Sequence, residues 1–228
     1  MTDVLNGARI VFDLDGTLVD TAPDLVRALN AVIGAEGLPP ISIELVRSMV
    51  GRGARRLIQR AFEHNGRPLT DAQTATLTAK FLDIYRAEID VESAPFPCMI
   101  EALDELDARG AALSVATNKP TDLAVLLLTR LGLVDRFERV LGPDAVAAKK
   151  PDGGHILAAA GPGASADRII LVGDSDVDVA AARSAGCAVI IMSYGYTEMP
   201  ATELGADQVL DDCRTLVPAL EALLSARV

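Results

Sequence analysis

Residues 8–20 read ARIVFDLDGTLVD. A short apolar run leads into Asp13, a second acid follows at Asp15, and Gly16-Thr17 comes directly behind. An apolar run this short, without clean alternation, suits a strand covered on both faces of a parallel sheet. It ends on two carboxylates at a spacing that places alternate side chains of an extended chain on one side. Close carboxylates resist joint ionisation unless a cation lies between them or one keeps its proton. One reading is structural: Asp13 caps a turn or helix, and Asp15-Gly16 is an ordinary turn. The other is chemical: two acids share a cavity with a divalent cation, and acidic oxygen donors suit magnesium.

Working outward, the apolar run recurs at ALSVAT (112–117), RIILVG (168–173) and CAVIIM (187–192), and more weakly at ADQVL (206–210). Helical patterns fill the intervals at 98–109, 120–131, 153–160, 177–185 and 212–226. This alternation implies βαβ units and a parallel sheet. Residues 21–92 depart from it, with helical patterns at 23–36, 42–49, 53–65 and 71–88 and no convincing strand. Gly37-Leu38-Pro39-Pro40 and Arg67-Pro68 punctuate that region, and Pro95 and Pro97 mark a return linker. The expectation is an α/β protein. A Rossmann-like parallel-sheet core is formed by 1–20 and 93–228, and a small α-helical cap, 21–92, is inserted after the first strand. Ligands of open α/β sheets bind beyond the carboxyl ends of the strands, so an insert leaving from there would roof the site.

Composition sets the outer bounds. The chain has 228 residues, half of them hydrophobic, enough for one large domain or a core with an insert. A net charge of −11 argues against nucleic acid or an acidic membrane as partner. No apolar run reaches the length of a membrane span, and the N-terminus lacks a signal-peptide layout. A cytoplasmic monomer or homodimer is expected. Cys98, Cys187 and Cys213 form no CxxC pair, so reduced, packed thiols are expected rather than zinc or disulfides. A small anionic substrate requires local positive groups or a cation to offset the global field.

Polar groups gather just past the strand ends. Thr117-Asn118-Lys119 offers a hydroxyl, an amide and a cation able to grip phosphoryl oxygens, or else starts the helix ahead of which Pro120 sits. Lys149-Lys150-Pro151 supplies a point charge for phosphate, or a solvated surface pair. Gly173-Asp174-Ser175-Asp176-Val177-Asp178 runs from a strand tip into a helix. Acids there favour the helix N-terminus whether or not they do chemistry. Val50-Gly51-Arg52-Gly53-Ala54 precedes a helix. Arg52 and the amides around Gly53 would meet a carboxylate, or form a glycine turn with solvated arginines. His64 and His155 are read chiefly as packing or surface residues, while Tyr194 and Tyr196 are read equally as a loop beside the site or as packing.

Taken together, these stretches resemble the haloacid dehalogenase-like superfamily. Asp13-Leu14-Asp15-Gly16-Thr17 matches its DxDGT motif, Thr117 its strand-end hydroxyl, Lys150 its lysine before proline, and Gly173–Asp178 its GDSxxD motif. The order and spacing match over nearly the whole chain. The run Pro151-Asp152-Gly153-Gly154 departs from the Lys-Pro-x-Pro that often occurs there. The resemblance implies a Mg2+-dependent phosphatase working through an aspartyl phosphate. Asp13 would be the nucleophile and Asp15 the acid and base. Asp13, Asp174 and the main-chain carbonyl of Asp15 would hold the metal. Thr117, Asn118 and Lys150 would hold phosphate, Asp178 would orient metal-bound water or Lys150 from behind, and Arg52 and Gly53 would read the leaving group from the cap. DGTLVDTAPDL, VGRGARRLIQRAF and LVGDSDVDVAAARSAGC point within the superfamily to hydrolysis of 2-phosphoglycolate, a small phosphorylated acid. Another small-molecule phosphatase or a phosphosugar mutase is the enzyme alternative. A receiver-like module carrying a phosphorylatable Asp is the non-enzyme one.

Overall fold

The computed structural model describes residues 3–227. Among these, six parallel strands form one sheet: β1 (Arg9–Phe12), β4 (Ala112–Ala116), β5 (Arg139–Leu141), β6 (Ile169–Gly173), β7 (Ala188–Met192) and β8 (Gln208–Leu210). Their order is β5-β4-β1-β6-β7-β8, so the chain builds outward on one side of β1 and then crosses to build outward on the other. The crossing leaves a switch point between β1 and β6, where open α/β sheets bind ligands. A two-residue antiparallel pair, β2 (Val19–Asp20) with β3 (Ala94–Pro95), closes the neck through which the chain leaves and returns.

Period-two alternation divides the sheet's side chains between two cores. Ile10, Phe12, Leu113, Val115, Ile170 and Val172 face one side, with α5 (Met99–Ala108) and α9 (Leu216–Ser225) over them. Val11, Leu171, Val189 and Ile191 face the other, with α7 (Gly153–Ala160) and α8 (Asp176–Ala185). Coverage on both faces explains why these strands read as continuous apolar runs. The helix α6 (Thr121–Arg130) joins β4 to β5.

Four helices lie between β2 and β3: α1 (Ala22–Ala35), α2 (Ile43–Met49), α3 (Ala54–His64) and α4 (Asp71–Ala87). Pro23 opens α1, and a Thr70–Gln73 capping box opens α4. Their apolar faces, including Leu29, Ile33, Ile58, Phe62, Phe81 and Tyr85, share one core. The α/β architecture with a helical insertion therefore stands as expected. Three strands were absent from the sequence reading. β5 is a half-buried edge strand of three residues following charged Glu138, and β2 and β3 have two residues each, too short for any periodic signal.

Candidate active site

Register brings the acids together. Phe12 pairs with both Val115 and Val172, and the Asp13 amide donates to the Val172 carbonyl at 2.9 Å. Asp13, Thr117 and Asp174 thus emerge side by side from three adjacent strands. Ligand oxygens of Asp13, Asp174 and Asp178 lie within 4.8 Å of one another, and all three residues are buried.

One ammonium threads this cluster. Lys150 Nζ lies 2.9 Å from Asp13 Oδ1 and 2.7 Å from Asp178 Oδ1. Burial works against its charge, but the two carboxylates prevail and hold its pKa above the ordinary lysine value. Asp178 is fully engaged, because its Oδ2 also accepts from the Ser175 amide and hydroxyl at the start of α8. Asp174 accepts from the Thr17 hydroxyl at 2.8 Å and from the Tyr196 amide at 2.6 Å. Asp13 Oδ1 also accepts from the Leu14 amide at 2.7 Å, while its Oδ2 takes no donor among the described residues.

Burial pushes the Asp13 carboxyl up to about 7; Lys150 pulls against this and Asp178 adds to it. Asp174 is driven well above the usual carboxylate range, first by burial and then by the charges of Asp178 and Asp13. Three buried acids face one ammonium, an imbalance that a divalent cation relieves. An all-carboxylate donor set fits a hard cation, and no thiol or imidazole belongs to it. With Asp178 saturated by its own donors, Asp13 and Asp174 are the side chains placed to hold such an ion.

Asp15 turns away from this cluster. Its Oδ1 accepts from the Thr21 hydroxyl at 2.8 Å and from Lys119 Nζ at 2.8 Å. Gly16, at φ +85°, makes the turn directly after Asp15, and a Cβ there would strike Asp174 and the Tyr196 ring. A pocket runs from Asp13, Asp15, Thr117, Asn118 and Lys119 to the insertion, where Gly51, Gly53, Leu57, Phe81 and Tyr85 wall it.

The remaining expected residues are placed less simply. Asn118 sits in the pocket wall, but its amide donates to the carbonyls of Gly51 and Lys150, tying the insertion to the lysine loop. Arg52 pairs with Asp176 at 2.6 Å on the surface, whereas its neighbour Gly53 lines the pocket. His155 is wholly buried: Nδ1 accepts the Lys150 amide at 3.2 Å and Nε2–H donates to the Leu141 carbonyl at 3.0 Å. Burial lowers its pKa, which keeps the ring in the neutral form those two bonds require. Thr17, Thr21 and Tyr85 were given no site role by sequence reasoning, and Tyr196 only a place in a loop beside the site. Thr17 stands inside DxDGT and Tyr196 next to Gly195, so both had a local signal. Thr21 and Tyr85 had none.

The haloacid dehalogenase-like hydrolase family model matches residues 10–192. A phosphoglycolate phosphatase of Caulobacter vibrioides is 48% identical over 97% of this chain and 94% of that protein. An N-acetylmuramic acid 6-phosphate phosphatase of Pseudomonas aeruginosa is 35% identical over 94% and 95% respectively. The crystal structure of a predicted phosphoglycolate phosphatase from Haemophilus somnus superposes with a TM-score of 0.86 at 32% identity, covering 93% of this chain and 97% of that one. The chain belongs to the haloacid dehalogenase-like hydrolase family.

Proposed function

We propose that this hydrolase cleaves 2-phosphoglycolate to glycolate and phosphate, with Mg2+ as its metal. The observation that carries the chemistry is the Asp13 carboxylate, buried with Asp174: one oxygen is fixed by Lys150 and Leu14 N–H, and the other takes no donor among the described residues.

Asp13 Oδ2 attacks phosphorus, and the phosphorus–ester oxygen bond breaks to leave an aspartyl phosphate. The departing alkoxide takes a proton from Asp15. Asp15 then accepts one from the water that attacks the same phosphorus, releasing phosphate and restoring Asp13. Thr117 and Lys150 hold the phosphoryl oxygens. His155 fixes the backbone of Lys150, and Asp178 fixes its ammonium. Asp13, Asp174 and the main-chain carbonyl of Asp15 would hold Mg2+, which when bound would supply positive charge to offset that of the two approaching anions. The helical insertion, 21–92, acts as the cap that selects the leaving group. High identity to a phosphoglycolate phosphatase supports the substrate.

The test is a panel of phosphate esters assayed with and without MgCl2. kcat/KM for 2-phosphoglycolate should exceed that for hexose phosphates and N-acetylmuramic acid 6-phosphate by about a hundredfold, a gap of about 3 kcal/mol. A sugar phosphate cleaved as well or better would reject the substrate.

A further inference from the structure

The pocket has one cation among its lining residues, Lys119, and it lies on the side away from the Asp13–Asp174 cluster. Lys150 is locked between two carboxylates, and Arg52 is drawn outward onto Asp176. Lys119 is almost wholly buried, yet two of its three N–H donors account for all its recorded partners. One goes to Asp15 Oδ1 at 2.8 Å and one to the Tyr85 hydroxyl at 2.9 Å. Burial opposes its charge, but Asp15 and Tyr85 keep its pKa above the ordinary lysine value.

Tyr85 comes from α4 of the cap. Its hydroxyl accepts from Lys119, and its own proton meets no acceptor among the described residues. Burial raises its pKa to about 12, so it stays a phenol and a donor. Two partnered groups that each have a donor proton to spare among the described residues, one of them charged and also 4.5 Å from the centre of the Tyr85 ring, therefore sit together in a pocket walled by Leu25, Leu57, Phe81 and Leu82. Buried donors without acceptors are costly, and apolar walls strengthen any hydrogen bond that satisfies them.

We propose that Lys119 and Tyr85 together bind the carboxylate of the leaving group, Lys119 from the core and Tyr85 from the cap. This rests on the reading of the substrate as a phosphorylated small acid. A carboxylate accepts several donors at once, so one oxygen meets the third N–H of Lys119 and the other the phenolic O–H. The same ammonium holds Asp15, which places the recognised carboxylate next to the group that protonates the ester oxygen. Because Tyr85 is supplied by the cap, the pair is complete only when cap and core are apposed.

The experiment measures kcat and KM for 2-phosphoglycolate, for 2-hydroxyethyl phosphate and for p-nitrophenyl phosphate, in wild type, Lys119→Met and Tyr85→Phe. Circular dichroism and thermal melting establish that each variant is folded. Lys119→Met should raise KM for 2-phosphoglycolate about ten- to a hundredfold more than it raises KM for 2-hydroxyethyl phosphate, the worth of a charged hydrogen bond, whatever kcat both alkyl esters lose through Asp15. Tyr85→Phe keeps the Lys119–Asp15 pair and should raise KM for 2-phosphoglycolate alone, by about three- to tenfold. It decides the matter if Lys119→Met does not fold. A preference for 2-phosphoglycolate that survives both variants overturns the assignment. So does a Lys119→Met variant that changes KM equally for both alkyl esters while sparing p-nitrophenyl phosphate, because Lys119 would then serve only Asp15. A wild type that cleaves these esters without preferring the carboxylate rejects the substrate reading itself, a failure distinct from the other two.

Discussion

Asp13 shows how a residue's chemistry is set by its neighbours. In water it is an ordinary carboxylate. Here burial and Asp178 outweigh Lys150, and its pKa rises to about 7, with Asp174 displaced in the same direction by burial and the charges of Asp178 and Asp13. A cation must displace protons to bind such acids, so its affinity rises with pH. At pH 8, MgCl2 at about a hundred times its Kd should add about 3 kcal/mol of stability and raise the melting temperature by about 5–10 °C. At pH 5.5 the rise should shrink to about 2 °C or less, and Asp174→Asn should abolish it at both pH values. Thermal melting with and without MgCl2 checks this. A shift independent of pH and of Asp174 would place the ion elsewhere. The acids themselves were legible in the sequence, because each follows an apolar run closely enough to mark a strand end. Their partners were not. That Lys119 would choose Asp15, and Lys150 both Asp13 and Asp178, depends on which strand tips become neighbours, which no local spacing records.

At the scale of elements, the junction between cap and core turns on Asp24. It lies in the first turn of α1, wholly buried, and accepts from Glu92 N–H, from the Ser93 amide and hydroxyl, and from Arg27. These bonds bind the outgoing helix to the returning linker beside the β2–β3 neck. Burial alone would raise the Asp24 pKa, but the Ser93, Glu92 and Arg27 donors overcome it and leave the pKa below the usual 3.8. Because the folded-state value is depressed, the carboxylate's contribution is full above the unfolded-state pKa and fades as pH falls through the folded one. Asp24→Asn should cost about 2–4 kcal/mol at pH 7, by leaving buried donors unpaired. The gap from wild type should narrow below about pH 4. Urea unfolding at pH 7 and pH 3.5 measures it, and equal losses at both would show that the charge is not what holds the junction. Elements with sustained periodicity, such as α4 and α8, were readable from sequence to within a residue or two. β2, β3 and β5 were not, because two or three residues carry no period and exist as strands only through the partner beside them.

Across the whole molecule, function depends on groups far apart in sequence meeting at one switch point. Asp13 follows β1, Thr117 follows β4, Lys150 precedes α7 and Asp174 follows β6; the sheet order makes them neighbours. The helical insertion lies over that point, and besides its buried contacts the exposed ion pairs Arg52–Asp176, Arg60–Glu198 and Arg86–Asp122 join it to the sheet domain. Such pairs are each worth about 1 kcal/mol or less, so they fasten the cap without fixing it. The chain's net charge of −11 makes this local arrangement necessary, since only fixed ammonium groups and a bound cation let an anionic ester approach. The central claim is that Asp13 itself accepts the phosphoryl group. Rapid mixing with 2-phosphoglycolate and MgCl2, acid quenching and peptide mass spectrometry test it directly. A phosphoryl adduct on Asp13 that forms and decays within the turnover time, absent from Asp13→Asn, is the predicted result. Undiminished turnover by pure Asp13→Asn, or an adduct on another residue, would contradict it.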